Sequence, residues 1–473
     1  MINRILKVFF LLALIVISNY GYAKLVYTKN IETAHLLILN FKSKKAEAIL
    51  QEERIKDPKN VYIDYLLSYQ FFLDSYFKVE DKCYNTFLKD SESCIELLKN
   101  EKNSEKSSVL IATLHIQRAF IYFLWSEHLS YVNELIKGRS ILDKIGEETN
   151  NIEYLKIRSL YELTGGSVPR KFKTLASWFG IKGESKKSIE LIDKYTSLVK
   201  DESANGIEGE IIKLYIYNFL DLDSKAIKSS SFKCPLLAYT YIQSSSISAQ
   251  KKISIIENLK PPLTPYFSYL KAKSLLEMQK EEGLTEMDIF LKNHKGNSLK
   301  HSANFIKYKY FIAQEMHNNA EHEKQIIEKL SEAQFPKDKA AVEGIEKDYN
   351  SYLLQARMLF DAQDYKKSLI ILNSNKNRYK TTKDLLEYKY RLARINEKTQ
   401  NISSAISLFK EVIDSEESEY YFVSYSAYRM GKIYIDLNNK ELAKKYFEIA
   451  LELNQGEYQI SIENKCLFAI MRL

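Results

Sequence analysis

Glycine and proline are scarce, 14 and 7 among 473 residues. Few positions can therefore break a helix, and abundant Leu, Ile, Lys and Glu favour helix almost throughout. Cysteine is scarce too: Cys83, Cys94, Cys234 and Cys466 form no Cys-x-x-Cys pair. That excludes a zinc knuckle and a thioredoxin-like redox motif. On one continuous helix Cys83 and Cys94 would stand about 16 Å apart, too far to bond, so free, partly buried thiols are expected. The seven histidines contain no His-Glu-x-x-His, and His317 and His322 are spaced to splay apart on a helix. Gly165-Gly166-Ser167-Val168-Pro169 lacks the final glycine of a nucleophile elbow. Gly180–Ser188 lacks phosphate-loop spacing. No pair of carboxylates can be singled out as acid and base. No catalytic residue, metal or cofactor is expected.

A large charge of one sign is also missing. The formal net charge is +8, and it is interspersed. Basic runs such as Lys42–Lys45 and Lys186–Lys187 are short, the mark of a solvated helix face and not of a nucleic-acid surface. Long apolar runs are confined to the start. Arg4 and Lys7 precede the run Val8–Ser18, and Gly21-Tyr22-Ala23 follows. This order reads as a secretory signal peptide, residues 1–23, cleaved after Ala23. The run is too short to span a bilayer comfortably; an uncleaved anchor is the alternative. No cysteine follows it to carry a lipid. Without these residues the net charge is about +6, since Arg4 and Lys7 leave with them. The mature chain is expected in the periplasm or cell envelope, soluble and without an integral span.

The remaining chain shows helical periodicity. Ser108–Trp125, Phe267–Met278 and Ser351–Phe360 place apolar residues at three- and four-residue steps, which overrules the strand bias of 34 tyrosines. In Ser424–Gln455 the landmarks are Gly431, Tyr434, Ala443, Phe447 and Ala450. Gly431 and Ala443 let two helices approach closely. Tyr434 and Phe447 fill the space beside them. Asn438 and Asn439 suit a turn with left-handed backbone. Ala450 would meet the next helix, from about Gln459. Leu392, Ala393, Ala405, Phe409 and Val412 hold the same register one unit earlier. Tyr352, Ala356, Leu359, Ser368 and Leu372 hold it again, with starts at 349, 386 and 424. The extra length fits loops at Ser374–Thr382 and Ser415–Ser418. Ala34, Ala46, Leu50 and Pro58 give a weaker match in Thr33–Asn60.

This pattern resembles the tetratricopeptide repeat, a helix–turn–helix unit that stacks into a superhelix. Phe290–Gly296, Leu386–Arg394 and Tyr458–Lys465, closing on Arg472-Leu473, look like a set of exported bacterial tetratricopeptide proteins. Gly166–Ile189 is faintly similar to the Iml2-like tetratricopeptide family. The resemblance implies an all-α, right-handed α-solenoid of helix hairpins that makes binding surfaces. Residues 24–260 read as divergent repeats. Residues 261–473 read as clearer ones, clearest over 349–455. In the divergent half helices are expected near Asn60–Leu73, Val79–Lys99, Ser107–Phe123, Ser130–Ile145, Glu153–Leu163, Lys186–Val199 and Glu208–Leu220, with a short one at Arg170–Phe179. Lys260–Pro265 is a stiff linker or simply the start of a helix at Tyr266.

In such arrays the first helix of each hairpin lines the concave face. The resemblance puts Asn350, Leu353, Arg357 and Phe360 there, then Glu387, Tyr390, Arg394 and Glu397, then Tyr425, Tyr428, Lys432 and Ile435. Arg357, Arg394 and Lys432 fall at one equivalent position, flanked by Tyr390 and Tyr428. The expected function is a non-catalytic scaffold whose groove grips an acidic peptide or protein segment. The carboxylate clamp of chaperone-binding relatives is not reproduced. The rival reading is an enzyme or small-ligand receptor with a pocket near 164–183.

Overall fold

The computed structural model describes residues 24–473 except 79, 102–103, 167–183, 223–233, 245, 261–262, 297, 416, 418, 454–458 and 472. The leader and the expected helix at 170–179 thus lie outside the described residues. Among the described residues there are 23 α-helices and no β-strand, only an isolated bridge between Lys24 and Asn60.

The helices run α1 (Lys29–Leu39), α2 (Ser43–Lys56), α3 (Val61–Lys78), α4 (Asp81–Lys99), α5 (Glu105–Leu124), α6 (His128–Ile145), α7 (Ile152–Gly166), α8 (Ser185–Leu198) and α9 (Ala204–Phe219). Then come α10 (Pro235–Ile242), α11 (Ala249–Asn258), α12 (Tyr266–Glu277), α13 (Glu282–Asn293), α14 (Lys300–Ala313), α15 (His317–Lys329) and α16 (Pro336–Ile345). The last are α17 (Ser351–Asp361), α18 (Tyr365–Ser374), α19 (Thr382–Lys398), α20 (Ile402–Ile413), α21 (Tyr421–Asp436), α22 (Lys440–Glu452) and α23 (Gln459–Met471). Consecutive helices pack in pairs: α1 on α2, α3 on α4, α5 on α6, α7 on α8, α12 on α13, α14 on α15, α17 on α18, α19 on α20 and α21 on α22. The other expected helices of the divergent half are present. The largest start shift is in α9, which begins at Ala204 because Ser203 caps it, accepting from the Gly206 N–H. Helices α10, α11 and α16 were not among the expected ones. α12 begins at Tyr266, directly after Pro265.

One turn recurs. Phe41, Ser126, Asp221, Gln279, Glu315, Gln363, Gln400 and Asn438 all have left-handed backbone, φ between 54° and 66°. At each, the N–H of that residue reaches the carbonyl three back, and the next N–H reaches the carbonyl five back. This Schellman closure satisfies the last carbonyls of the first helix and reverses the chain. None of these residues is glycine. The left-handed state costs an L-residue about 1–2 kcal/mol, so the hairpin packing behind each turn must hold it there.

The clearest repeat is built as its landmarks require. A Cβ on Gly431 would lie 2.5 Å from the Phe447 ring. Ala443, Phe447 and Ala450 are fully buried with Ile462 and Cys466 of α23. Ser368 keeps the small-residue position of its hairpin and donates to the Ala356 carbonyl at 2.7 Å. All four cysteines are free and buried. α5 is apolar and long enough to cross a membrane, yet 72% of its apolar window is buried inside the fold, as in a core helix.

The stack also folds back on itself. Phe468 of α23 is buried against Leu163, Ile192, Tyr195, Ile216 and Leu220 of α7–α9. The Ala249 N–H donates to the Ala362 carbonyl at 3.2 Å. Trp125, beyond α5, meets Phe335 edge-on at 5.5 Å. The inner face of the C-terminal hairpins is therefore walled by the middle of the chain.

Gly431→Ala is expected to lower stability by about 1–3 kcal/mol through overpacking. Phe447→Leu should destabilise alone but relieve the alanine, so the double variant loses less than the sum in urea melts. Strict additivity would sink this account of the contact.

A basic cavity on the inner face of the C-terminal hairpins

The recurring turn sets a register. Six residues before each left-handed position stand Lys273, Lys309, Arg357, Arg394 and Lys432, on α12, α14, α17, α19 and α21. These are the first helices of their hairpins, and each touches the next along the inside of the stack. The equivalent residues of α1 and α5 are His35 and Phe120.

Two adjoining cavities lie on this face. One, of about 500 Å³, is lined by Lys252, Lys273, Arg357, Arg391, Arg394, Lys398, Arg429 and Lys465. Among the described residues its lining carboxylates are Asp221, Glu277 and Asp361. The other, of about 580 Å³, shares Arg357, Arg391 and Tyr421 with the first and adds Lys309, Lys347 and Lys383. Carboxylates are more numerous there: Glu343, Asp348, Glu387 and Glu419.

Arg394 holds the centre of the first cavity. Its guanidinium lies over Phe360 at 5.0 Å, Tyr390 at 5.9 Å and Tyr425 at 6.0 Å, one ring from each of three successive hairpins. Its Nη1 donates to the Tyr390 hydroxyl at 3.0 Å, and its Nε stands 3.4 Å from Glu397. Such stacking fixes the planar group and leaves donors for an anion. Arg429 forks onto Glu397, with Nε donating at 3.0 Å. Arg391 pairs with Glu387, its Nε donating at 2.9 Å. Lys273 is 3.6 Å from Glu277 and 46% exposed, but what it is exposed to is the cavity. Lys252, Lys398 and Lys465 have no carboxylate partner among the described residues; Lys465 donates to the Tyr425 hydroxyl at 3.1 Å.

The crowding of cations shows in their protonation. Burial, then Arg357 and Lys273, push the Lys309 ammonium down to about 8. Burial, with Lys273 adding to it, lowers Lys252. Burial, Arg429 and Arg394 lower Lys398. Burial pushes the Tyr390 phenol up to about 12. Burial leads in each of these shifts and neighbouring cations add to it for the lysines; Lys273, beside Glu277, is raised instead.

The expected site residues divide. Arg357, Phe360, Tyr390, Arg394 and Tyr425 line the first cavity, while Asn350, Leu353 and Glu387 line the second. Glu397 lies behind, bound to Arg429. Lys432 and Tyr428 are elsewhere. They line a separate hollow of about 210 Å³ with Ile435, Leu220 and Phe468. The cause is the α9 turn: the Tyr428 hydroxyl donates to the Asp221 carboxylate at 3.0 Å, and the Lys432 ammonium reaches the Asp221 carbonyl at 3.4 Å. Burial pushes the Asp221 carboxyl up, but Arg429, Lys465 and Lys432 outweigh it and hold it below the usual range. Sequence reasoning missed Lys252, Lys273, Lys309, Arg391, Lys398, Arg429, Lys465 and Asp221. Lys273 was findable, because Ala272-Lys273 repeats the pattern of Ala356-Arg357 and Ala393-Arg394.

The inner face of the N-terminal half behaves differently. A cavity of about 200 Å³ there holds Lys156 between Glu153 and Glu208, each at 2.5 Å. His35, 4.0 Å from Glu208, is kept neutral by burial. Its charges compensate one another, as in a structural pin. Among the described residues no cluster of His, Cys, Asp and Glu could hold a metal ion.

Residues 424–457 match the tetratricopeptide repeat. The chain is thus an all-helical solenoid of hairpins carrying a tetratricopeptide repeat, a class whose members mediate protein–protein binding. No curated protein matches it.

Lys309→Met is expected to raise the melting temperature at pH 7. The folded ammonium titrates near 8 and the unfolded one near 10.4, so the charged form is disfavoured in the fold below about pH 8. Above that the folded parent sheds its proton first and regains stability. The gap between parent and variant should close towards about pH 10.4. A variant no more stable than its parent at pH 7 would contradict this.

Proposed function

We propose that the protein is a non-catalytic interaction scaffold, exported to the cell envelope, that holds an acidic segment of a partner protein against the inner face of its C-terminal hairpins. The observation that carries this reading is the first cavity, whose eight basic lining side chains stand against three lining carboxylates and, directly behind them, Glu387 and Glu397, so that a positive excess remains. Empty, that excess must be hydrated and screened. A carboxylate-bearing chain would replace the water and leave Arg394 stacked between its rings. Aromatic and arginine side chains are the usual anchors of such interfaces. Export rests on the charged, apolar and small-residue order of residues 1–23. The enzyme reading placed its pocket near 164–183, of which 167–183 lie outside the described residues, and no observation favours it.

The test is fluorescence anisotropy with a labelled acidic decapeptide and a neutral one of equal length. The acidic peptide should bind, more weakly as salt rises, and the neutral one should not. Arg394→Ala should cost about tenfold in affinity, roughly 1.4 kcal/mol. Equal binding of both peptides, or no effect of Arg394→Ala, would overturn the groove. Intact mass of the protein recovered from its native envelope should show a chain beginning after Ala23. A chain retaining Met1 and found in the cytoplasm would overturn export.

A further inference from the structure

We propose that the partner segment carries an aromatic side chain directly beside its acidic residues, and that this ring seats in the second cavity while the acids occupy the first. This rests on the groove reading above and says what must accompany the negative charge.

The two cavities share Arg357, Arg391 and Tyr421. Both reach the same three side chains, so adjoining residues of one chain can occupy both. Their linings differ in what they leave for a partner. In the first a positive excess remains even with Glu387 and Glu397 counted. In the second the charges are near balance. Lys309, Lys347, Arg357, Lys383 and Arg391 stand against Glu343, Asp348, Glu387 and Glu419.

Much of the second cavity's polar lining is also committed within the protein. The Arg391 Nε donates to Glu387 at 2.9 Å. The Lys383 ammonium donates to the Asp348 carbonyl at 2.9 Å. The Asn350 side chain caps α17, accepting from the Tyr352 and Leu353 N–H groups, and donates to Asp384 at 3.2 Å. The Tyr349 hydroxyl donates to the Gly344 carbonyl at 3.1 Å.

What remains is ring surface. Phe305, Tyr349, Tyr420, Tyr421 and Phe422 all line this cavity. Tyr420 stacks on Phe422 at 5.3 Å, and Tyr421 meets Phe422 edge-on at 5.5 Å. Phe305 comes from α14, and its ring lies against Gly344 of α16. A Cβ on that glycine would stand 2.2 Å from the ring. The Lys309 ammonium lies over the same ring at 4.9 Å. By contrast, three rings of the first cavity are already taken by Arg394. The second cavity's volume, about 580 Å³, is that of pockets which bury most of an organic ligand. Water there meets few uncommitted partners, so an apolar group gains by displacing it. An aromatic group gains most, because ring pairs contribute beyond the area they cover. Near balance of charge gives the second cavity little pull on an acid, so acids sort to the first and the ring to the second.

The test is titration calorimetry of the whole protein with three peptides of equal length. The first carries Glu-Glu-Phe at the centre of a Gly-Ser chain. The second has Ala in place of Phe. The third has the composition of the first, with Phe moved to the far end. The first should bind about tenfold tighter than either of the others. Phe305→Ala should bind the first and second peptides alike. Tyr420→Ala, at the start of α21, should do the same, which covers the case that the Phe305 variant fails to fold by circular dichroism. Both side chains are only partly buried. If the alanine peptide binds the parent as tightly as the phenylalanine one, the second cavity takes no ring although the acidic groove stands. If the third peptide equals the first, the ring is not read beside the acids. If the preference for phenylalanine survives in both folded variants, the ring binds outside this cavity and the proposal is overturned. If no peptide binds, the groove reading fails with it.

Discussion

The left-handed residue that closes each hairpin is the constraint on which the rest depends. Once a helix must end in a Schellman turn, the residues one to two turns before it have fixed directions. The side chain six positions earlier lines an inner cavity at His35, Lys273, Lys309, Arg357 and Arg394. The cost of placing Gln, Glu, Asn or Asp there instead of glycine falls on packing behind the turn. Gly431 against Phe447, with Ala443 and Ala450 around them, shows how tight that packing is. The groove's lining is therefore a consequence of how hairpins end.

Charge distinguishes the two halves of that lining. In the N-terminal half Lys106 and Lys156 line a cavity with Glu153 and Glu208, two charges of each sign, and the position six before the turn is a histidine, a phenylalanine or a tyrosine. Removing water from a balanced set costs little more than the set recovers. In the C-terminal half the lining of the first cavity carries more cations than carboxylates. Burial lowers Lys309, Lys252 and Lys398, while Lys273, Arg391 and Arg429, each beside a carboxylate, are raised.

Much of the fold was legible in the sequence because its signals are local. The Gly431–Phe447 contact, the turn at Asn438 and the break between α18 and α19 follow from residues within one repeat. So did the free cysteines. Lys309 was not legible, for particular reasons. On α14 Tyr308 stands where the other C-terminal hairpins keep alanine or glycine before the inward cation. The extra helix α16 stretches the spacing to 48 residues between Lys309 and Arg357, which hides the period. Lys432 fitted the sequence pattern but is drawn aside by Asp221, more than two hundred residues away. No local pattern reports a contact of that range.

That same contact explains why the cavity is a cavity and not an open trough. Phe468 seats the last helix on α7–α9, and Asp221 reaches from the end of α9 to Tyr428, Lys432 and Arg429. The apolar contact supplies most of the hold, since it removes a whole phenylalanine side chain from water, worth about 2–3 kcal/mol. The carboxylate puts one fixed negative charge among the positive ones of the first cavity. Closure by the middle of the chain thus turns part of a repetitive inner face into a cavity lined by residues from distant parts of the sequence, Asp221 and Lys252 beside Arg394 and Lys465.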